Sequence, residues 1–295
     1  MASTIAVKSS AHGHRPRAPA LRSEAALPCA AVRVVDLDRD MRDVIPTGAG
    51  RDSEFLFQRM TDRTLALAEA APGRRLLDVA SGFGQDARAL AAQGALVAAA
   101  EPSARMSALA RGLDVEPTEA RVLHLRSWAD ALPFAAGSFD AVICKGALDH
   151  FDAPEQAIRE MARVTRPRGR VVLAIANFDS AACRIAHAGD VFRETLLGRV
   201  LPRGRRHYDV PHDHFTRYEL PLMRLQASAH LHVEVIEGIS LAWGLRAWAR
   251  LVERLPAPVA QGALVGLDAL ARKLPGLADV VLIAGRPRRS SSKSA

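Results

Sequence analysis

The stretch from Arg75 to Glu101, RLLDVASGFGQDARALAAQGALVAAAE, constrains this chain more than any other. It reads as a buried strand, a glycine turn, a helix and a second buried strand. Leu76, Leu77 and Val79 form a short apolar run of the kind that a parallel strand covered on both faces requires. Asp78 interrupts that run near the carboxyl edge, where open α/β sheets bind ligands. Gly82 and Gly84 follow, and glycine allows a sharp turn and close approach of a ligand to the main chain. Gln85 to Ala92 continues as a helix with Gly94 at its stop, and Leu96 to Ala100 is the second strand. Glu101 closes that strand, placed to chelate the two hydroxyls of a ribose. Gly82, Gly84 and Ala87 also satisfy the G-x-G-x-x-G/A dinucleotide pattern, so the turn alone leaves two cofactor classes open.

A chain of 295 residues, 49% hydrophobic, supports one domain with additions or two small ones. It has no run of 18 uncharged apolar residues, so no membrane-spanning helix is expected. Cys29, Cys144 and Cys183 are too few and too far apart for a disulfide framework or a zinc site, and a cytoplasmic location is the default expectation. The net charge is +8. Lys8, Arg15, Arg17 and Arg22 against Glu24 give one end +3, and Arg286, Arg288, Arg289 and Lys293 give the other +4. A nearly neutral body with basic ends lacks the one-sided basic face of a nucleic-acid binder.

Residues 1–50 read as a disordered leader and short lead-in, 51–285 as the folded domain, and 286–295 as a disordered basic tail. Ser53 is expected to cap a helix from about Glu54 to Ala70. After Glu101, Pro102 opens a helix from Ala104, and residues 121–126 are a third strand in which His124 is a packed core or edge residue. Phe139 to Cys144 is the fourth strand. Asp152 and Pro154 open a helix that runs to Val164, and Arg170 to Ala176 is the fifth strand. Residues 178–218 form a lid-like insertion, at whose end Thr216 and Glu219 spell a capping box for a helix from Arg217. His212, Asp213 and His214 just precede it. They are read as loop and cap residues or as a general base, and metal ligation is not expected of such close neighbours. Residues 231–238 and 278–284 are strands six and seven, separated by two helical stretches in 239–277. That pair is expected either to pack on the sheet or to roof an acceptor pocket, touch a membrane surface or pair two copies.

Several motifs in this order resemble the class I S-adenosylmethionine-dependent methyltransferases, in particular the small-molecule type of ubiquinone and menaquinone biosynthesis. Leu76-Leu77-Asp78-Val79-Ala80-Ser81-Gly82-Phe83-Gly84 looks like their motif I. Ala129 to Phe134, Ser138 to Ile143, and Leu148-Asp149-His150-Phe151 look like their adenine turn, their fourth strand and the segment after it. The resemblance covers about residues 55–178. Ala80 replaces the first motif I glycine, Trp128 stands where the family usually has an Asp, and Asp149 replaces the first His of LHHF. It implies a Rossmann-like, seven-stranded, mostly parallel, doubly wound α/β sheet with helical insertions between strands five and six and between six and seven. It also implies S-adenosylmethionine as cofactor, with Ala80, Ser81, Gly82 and Gly84 at its amino-acid end and Asp78 acting through hydrogen bonds. Glu101, with Pro102 beside it, takes the ribose; Met106, Trp128 and Ala129 surround the adenine; Lys145 to Leu148 line the methionine side. The methyl acceptor is expected to be a small hydrophobic molecule, with His150 and His214 as candidate bases and no metal, on a monomer or homodimer. Two other readings stay open: an NAD(P)-dependent reductase, and a non-catalytic S-adenosylmethionine-binding protein.

Overall fold

A computed structural model describes residues 50–113, 122–198, 208–210 and 214–288. The leader, most of the basic tail, and His212 and Asp213 lie outside them. A seven-stranded sheet forms the frame: β1 (Arg75–Val79), β2 (Leu96–Ala100), β3 (Val122–Leu125), β4 (Phe139–Lys145), β5 (Thr165–Ala176), β6 (Leu231–Ile239) and β7 (Val280–Pro287). Their order across the sheet is β3-β2-β1-β4-β5-β7-β6. The first five strands are parallel, and β7 runs antiparallel between β5 and β6. This is the expected doubly wound arrangement. The chain reverses at β1 and β4, so the carboxyl ends of these strands open the crevice where such sheets take ligands.

Strand alternation sends side chains to two apolar layers. One layer holds Leu77, Val79, Val142 and Cys144 against Ile158 and Met161 of α4 (Pro154–Val164) and Met223 and Ala227 of α6 (Leu220–His230). The other holds Leu76, Ala141 and Ile143 against Leu56 and Met60 of α1 (Arg51–Ala68) and Leu90 of α2 (Gln85–Ala91). Asp78 and Lys145 follow the second set by the same period of two, so both face α1 and α2. Between these elements α3 spans Ala104–Leu113.

Local boundaries moved for identifiable reasons. Gly50, not Ser53, is the N-cap of α1, and the Ser53 hydroxyl instead accepts from the Trp243 indole N–H at 2.9 Å. β5 begins at Thr165, because the register between β4 and β5 shifts after Phe139 and absorbs Pro167 and Gly169. Helix α4 is capped at Ala153 rather than Asp152. No capping box forms at Thr216: α6 starts at Leu220, and the Thr216 amide donates to the Asp149 carbonyl at 3.3 Å. A tertiary bond outcompetes the local one.

Helix α5 (Ala181–Leu197) occupies the connection after β5, and the Ser180 hydroxyl caps it by accepting from the Cys183 amide. Helices α7 (Arg246–Arg254) and α8 (Ala257–Lys273) fill the connection from β6 to β7. This pair packs on the sheet and α1, as one of its two readings held. Val252, Ala260 and Leu264 bury Phe55, and Glu253 accepts from the Arg51 amide. α8 lies so close to β6 that a Cβ on Gly238 would collide with the Ala271 carbonyl.

The turn from β6 to α7 contains Ser240 and Ala242 at positive φ, a conformation costly for residues with side chains. Asp279 holds it. Its carboxylate is 4% exposed and accepts from the Trp243 amide at 2.9 Å, and its own amide donates to the Ser240 carbonyl. Burial pushes the Asp279 carboxyl up from its ordinary 3.8 to about 7. The folded chain therefore keeps a proton that the unfolded chain gives up near pH 4. The contribution is full below pH 4 and is lost as pH rises through 7, worth about 4 kcal/mol at most. Urea unfolding at pH 5 and pH 8 reads this directly: the drop in stability of the wild type exceeds that of Asp279→Asn.

Candidate active site

The motif I bend forms as the pattern of small residues requires. Ala80, Gly82 and Gly84 all sit at positive φ, at 55°, 53° and 76°. At Gly84 an added Cβ would press on His124 at 3.1 Å, so the packing of α2 against β3 demands glycine there. At Gly82 an added Cβ would meet only the Met106 methyl, at 3.6 Å, so this glycine leaves open space beneath a buried Met106.

Glu101 lies directly on that bend. One carboxylate oxygen accepts from the Gly82 amide at 2.9 Å, and the other accepts from the Ser103 amide at 3.0 Å. It is nearly buried, at 9% exposed. A carboxylate offers about four acceptor sites, the chemistry that a ribose diol requires. Pro102 follows with its carbonyl accepting from Arg126. Trp128 and Ala129 stand half-buried on the loop after β3, with Ala129 against the core. Leu148 is fully buried in the α4-side layer and supports the site by packing.

Lys145 does more than line a wall. Its Nζ donates to the Thr61 hydroxyl at 2.6 Å and lies 2.8 Å from the Asp86 carboxylate. Asp86 is in the first turn of α2 and is 5% exposed. Asp78 completes the group, accepting from the Ala87 amide. Its carboxyl is held well above the usual range by burial first and then by the Asp86 charge, with Lys145 opposing. Asp78 and Asp86 thus share one ammonium, that of Lys145, at the mouth of the crevice. Asp86 and Thr61 escaped sequence reasoning. An acid in the first helical turn after a glycine bend was the available signal for Asp86. Thr61 carried none, since only the docking of α1 brings it near.

A second cluster lies past the end of β4. A single 3₁₀ turn, Leu148–His150, carries Asp149 and His150, and the connection before α6 returns His214 to it. His214 Nδ1 is 3.1 Å from Asp149 Oδ2, and His150 Nε2 is 3.8 Å from Asp149 Oδ1. The two imidazoles meet edge to face with centroids 4.3 Å apart. The structure therefore brings both candidate bases together, although 64 positions separate them in sequence. Asp149, read in the sequence as a departure from a family motif, is their common partner.

Phe178 touches His214 edge-on at 6.1 Å. On it opens a cleft of about 380 Å³ lined by Phe178, Cys183, Arg184, His187, Tyr208 and Arg217. Arg217 stacks over the Phe178 ring at 5.7 Å and donates to the Tyr208 carbonyl. Aromatic rings, guanidinium groups and the carboxylates of Asp179 and Asp209 line this cleft, a more polar surface than a purely hydrophobic acceptor requires.

Residues 77–173 match the family described as a methyltransferase domain. The chain has the fold of the class I methyltransferases, and the family match runs through it from within β1 to within β5. It shares 33% identity over 144 residues with a ubiquinone biosynthesis O-methyltransferase of Xanthomonas campestris pv. campestris strain B100, a match covering 49% of this chain and 59% of that protein. A Xanthomonas oryzae pv. oryzae protein of the same name is 34% identical over 136 residues, covering 46% and 55%. The chain thus spans just over half the length of these relatives. Among solved structures, YcgJ from Bacillus subtilis matches the methyltransferase domain and its additions with a TM-score of 0.52 at 21% identity, covering 79% of this chain and 100% of YcgJ. The [4+2]-cyclase SpnF matches with 0.51 at 23%, covering 78% and 81%. These likenesses concern the fold. A cyclase among them shows that the frame of the methyltransferase domain alone does not set the reaction.

Proposed function

We propose that this protein transfers the methyl group of S-adenosylmethionine to a small aromatic acceptor. The observation that carries the reading is the Glu101 carboxylate bonded to the Gly82 amide, which sets a diol-gripping acid against a bend with no side-chain bulk. Charge supports the same donor. Glu101, with the buried Asp78 and the Lys145-paired Asp86 behind it, gives the mouth more acid than base, which suits a cationic sulfonium better than a pyrophosphate. In dinucleotide enzymes the pyrophosphate rests on the helix N-terminus; here the first turn of α2 carries the buried Asp86, paired with Lys145, in that place. The nicotinamide reading is therefore disfavoured.

The sulfonium methyl is already electrophilic, so the chain's task is alignment and exclusion of water. Ala80, Ser81, Gly82 and Gly84 would hold the amino-acid end of the donor with Asp78. Pro102, Met106, Trp128 and Ala129 would enclose the adenine. The acceptor would enter by the cleft on Phe178 and present its nucleophile to Asp149, His150 and His214, which activate it. A phospholethanolamine N-methyltransferase of Haemonchus contortus with the same fold was solved with S-adenosylhomocysteine bound, and the matched relatives are named as O-methyltransferases.

Calorimetric titration tests the donor: S-adenosylhomocysteine binds with micromolar affinity, and NADH does not bind at the same concentrations. The reverse order sinks the reading. Release of S-adenosylhomocysteine across a panel of phenols and aromatic amines then tests the reaction. His150→Ala and His214→Ala are expected to slow it by roughly 10²–10⁴-fold without weakening donor binding. Full donor binding with no turnover on any acceptor would instead favour a non-catalytic protein.

A further inference from the structure

Asp149, His150 and His214 present one donor atom each within 4.8 Å of one another. They do so from two segments pinned together by main-chain bonds. The Phe215 and Thr216 amides both donate to the Asp149 carbonyl, at 2.7 and 3.3 Å. The Asp149 side chain is 4% exposed, and those of His150 and His214 are 30% and 17% exposed, so the two imidazoles reach the surface that Asp149 does not.

We propose that these three side chains form a binding site for a divalent transition-metal cation of the zinc class. Two imidazoles and one carboxylate are a donor set for such ions, and three protein ligands leave a position free for an exogenous oxygen. The sequence argued against a metal because neighbours such as His212 and His214 seldom converge on one ion. The ligands that converge come instead from the 3₁₀ turn and the distant connection. Bonds of 2.0–2.2 Å to a tetrahedral ion place donors roughly 3.3 Å apart. The pair of His214 and Asp149, at 3.1 Å, already has that spacing, and the 3.8 Å approach of His150 closes by rotation of a part-exposed side chain. Edge-to-face packing of His214 on both His150 and Phe178 limits its alternatives.

The class of acceptor follows, and this part rests on the methyl-transfer reading. The open position would hold a hydroxyl oxygen, alone or as one of two vicinal oxygens, and lower its pKa as metals lower that of bound water. The substrate is then a phenol or enol rather than an amine, whose lone pair the cation would occupy.

The full chain, freed of metal by dialysis against a chelator, is titrated with Co²⁺ and followed by visible absorption, then with Zn²⁺ in competition with a chromophoric chelator. One equivalent is expected to bind, with a dissociation constant below about 10 µM. Asp149→Asn, His150→Gln and His214→Ala each weaken it by at least about 100-fold, and His230→Ala, outside the cluster, leaves it unchanged. Unchanged S-adenosylhomocysteine binding in each variant certifies the fold. The proposal is overturned if Co²⁺ binds no tighter than millimolar, or if the three cluster variants bind it as the wild type does. Cation binding without S-adenosylhomocysteine binding keeps the site and removes the methyl donor; the opposite result removes the site alone.

Discussion

Glu101→Ala loses S-adenosylhomocysteine affinity by at least 100-fold, the largest effect on binding expected of any single change in the chain. Hydrogen bonds to a charged acceptor are worth about 1.5–3 kcal/mol each. A ribose diol makes two, so their loss corresponds to roughly 10²–10⁴ in dissociation constant. The same carboxylate also straps the bend, through its bonds to the Gly82 and Ser103 amides. Glu101→Gln separates the two roles, because a neutral amide oxygen still accepts from the Gly82 amide but grips a diol weakly. The ordered series, wild type, then Gln, then Ala, is to be read by calorimetry alongside thermal melting. A dissociation constant for Glu101→Ala within threefold of the wild type would remove the ribose role, whatever the melting temperature does.

The largest effect on stability is expected at Asp268, far from the chemistry. Its side chain on α8 is 2% exposed and bonds to Arg59 of α1 at 2.8 and 3.1 Å. Its other oxygen accepts from the Ser240 amide at 3.3 Å, in the turn that carries two residues of positive φ. Asp268→Ala leaves the Arg59 guanidinium, itself mostly covered, without its main counter-charge, and removes the acceptor of a buried amide. Loss of one member of a buried pair costs about 3–5 kcal/mol. Replacing both partners relieves much of that, because no buried charge is then left alone. Urea denaturation of Asp268→Ala, Arg59→Met and the double variant therefore shows non-additivity, with the double variant more stable than the sum of the single losses predicts. Strict additivity would mean that Arg59 and Asp268 act independently.

Both residues bear on how the site is built. Helix α1 supplies Thr61 to Lys145, and α1 is held on its outer side by α7 and α8 through Arg51, Phe55 and Arg59. The second insertion braces α1 on one side, while α8 also packs on β6. In the proposed reaction the first insertion would supply the acceptor side, through Phe178, Arg184, His187 and the return of His214.

The sequence by itself determined the parts whose information is local. The bend at Gly82 and Gly84, the buried strands around it and the acid at its far end follow from residue size, chirality and a period of two. Their spacing leaves one way for Glu101 to reach the bend, across the neighbouring strand, and the 2.9 Å bond to Gly82 is the result. What only the tertiary structure decided depends on long loops and packed layers. Nothing near Lys145 in sequence names Thr61 or Asp86 as its partners; the pleat turns Lys145 to the face on which α1 and α2 dock. Nothing in PHDHFTRYEL shows that His214 ends beside His150, or that Thr216 gives up a capping box to bond Asp149. Local hydrogen bonds cost little chain entropy and so leave a signature in the sequence. Contacts closed over 60 residues exist only once the sheet has fixed both ends, and their energy decides against the local alternative without leaving a pattern to read.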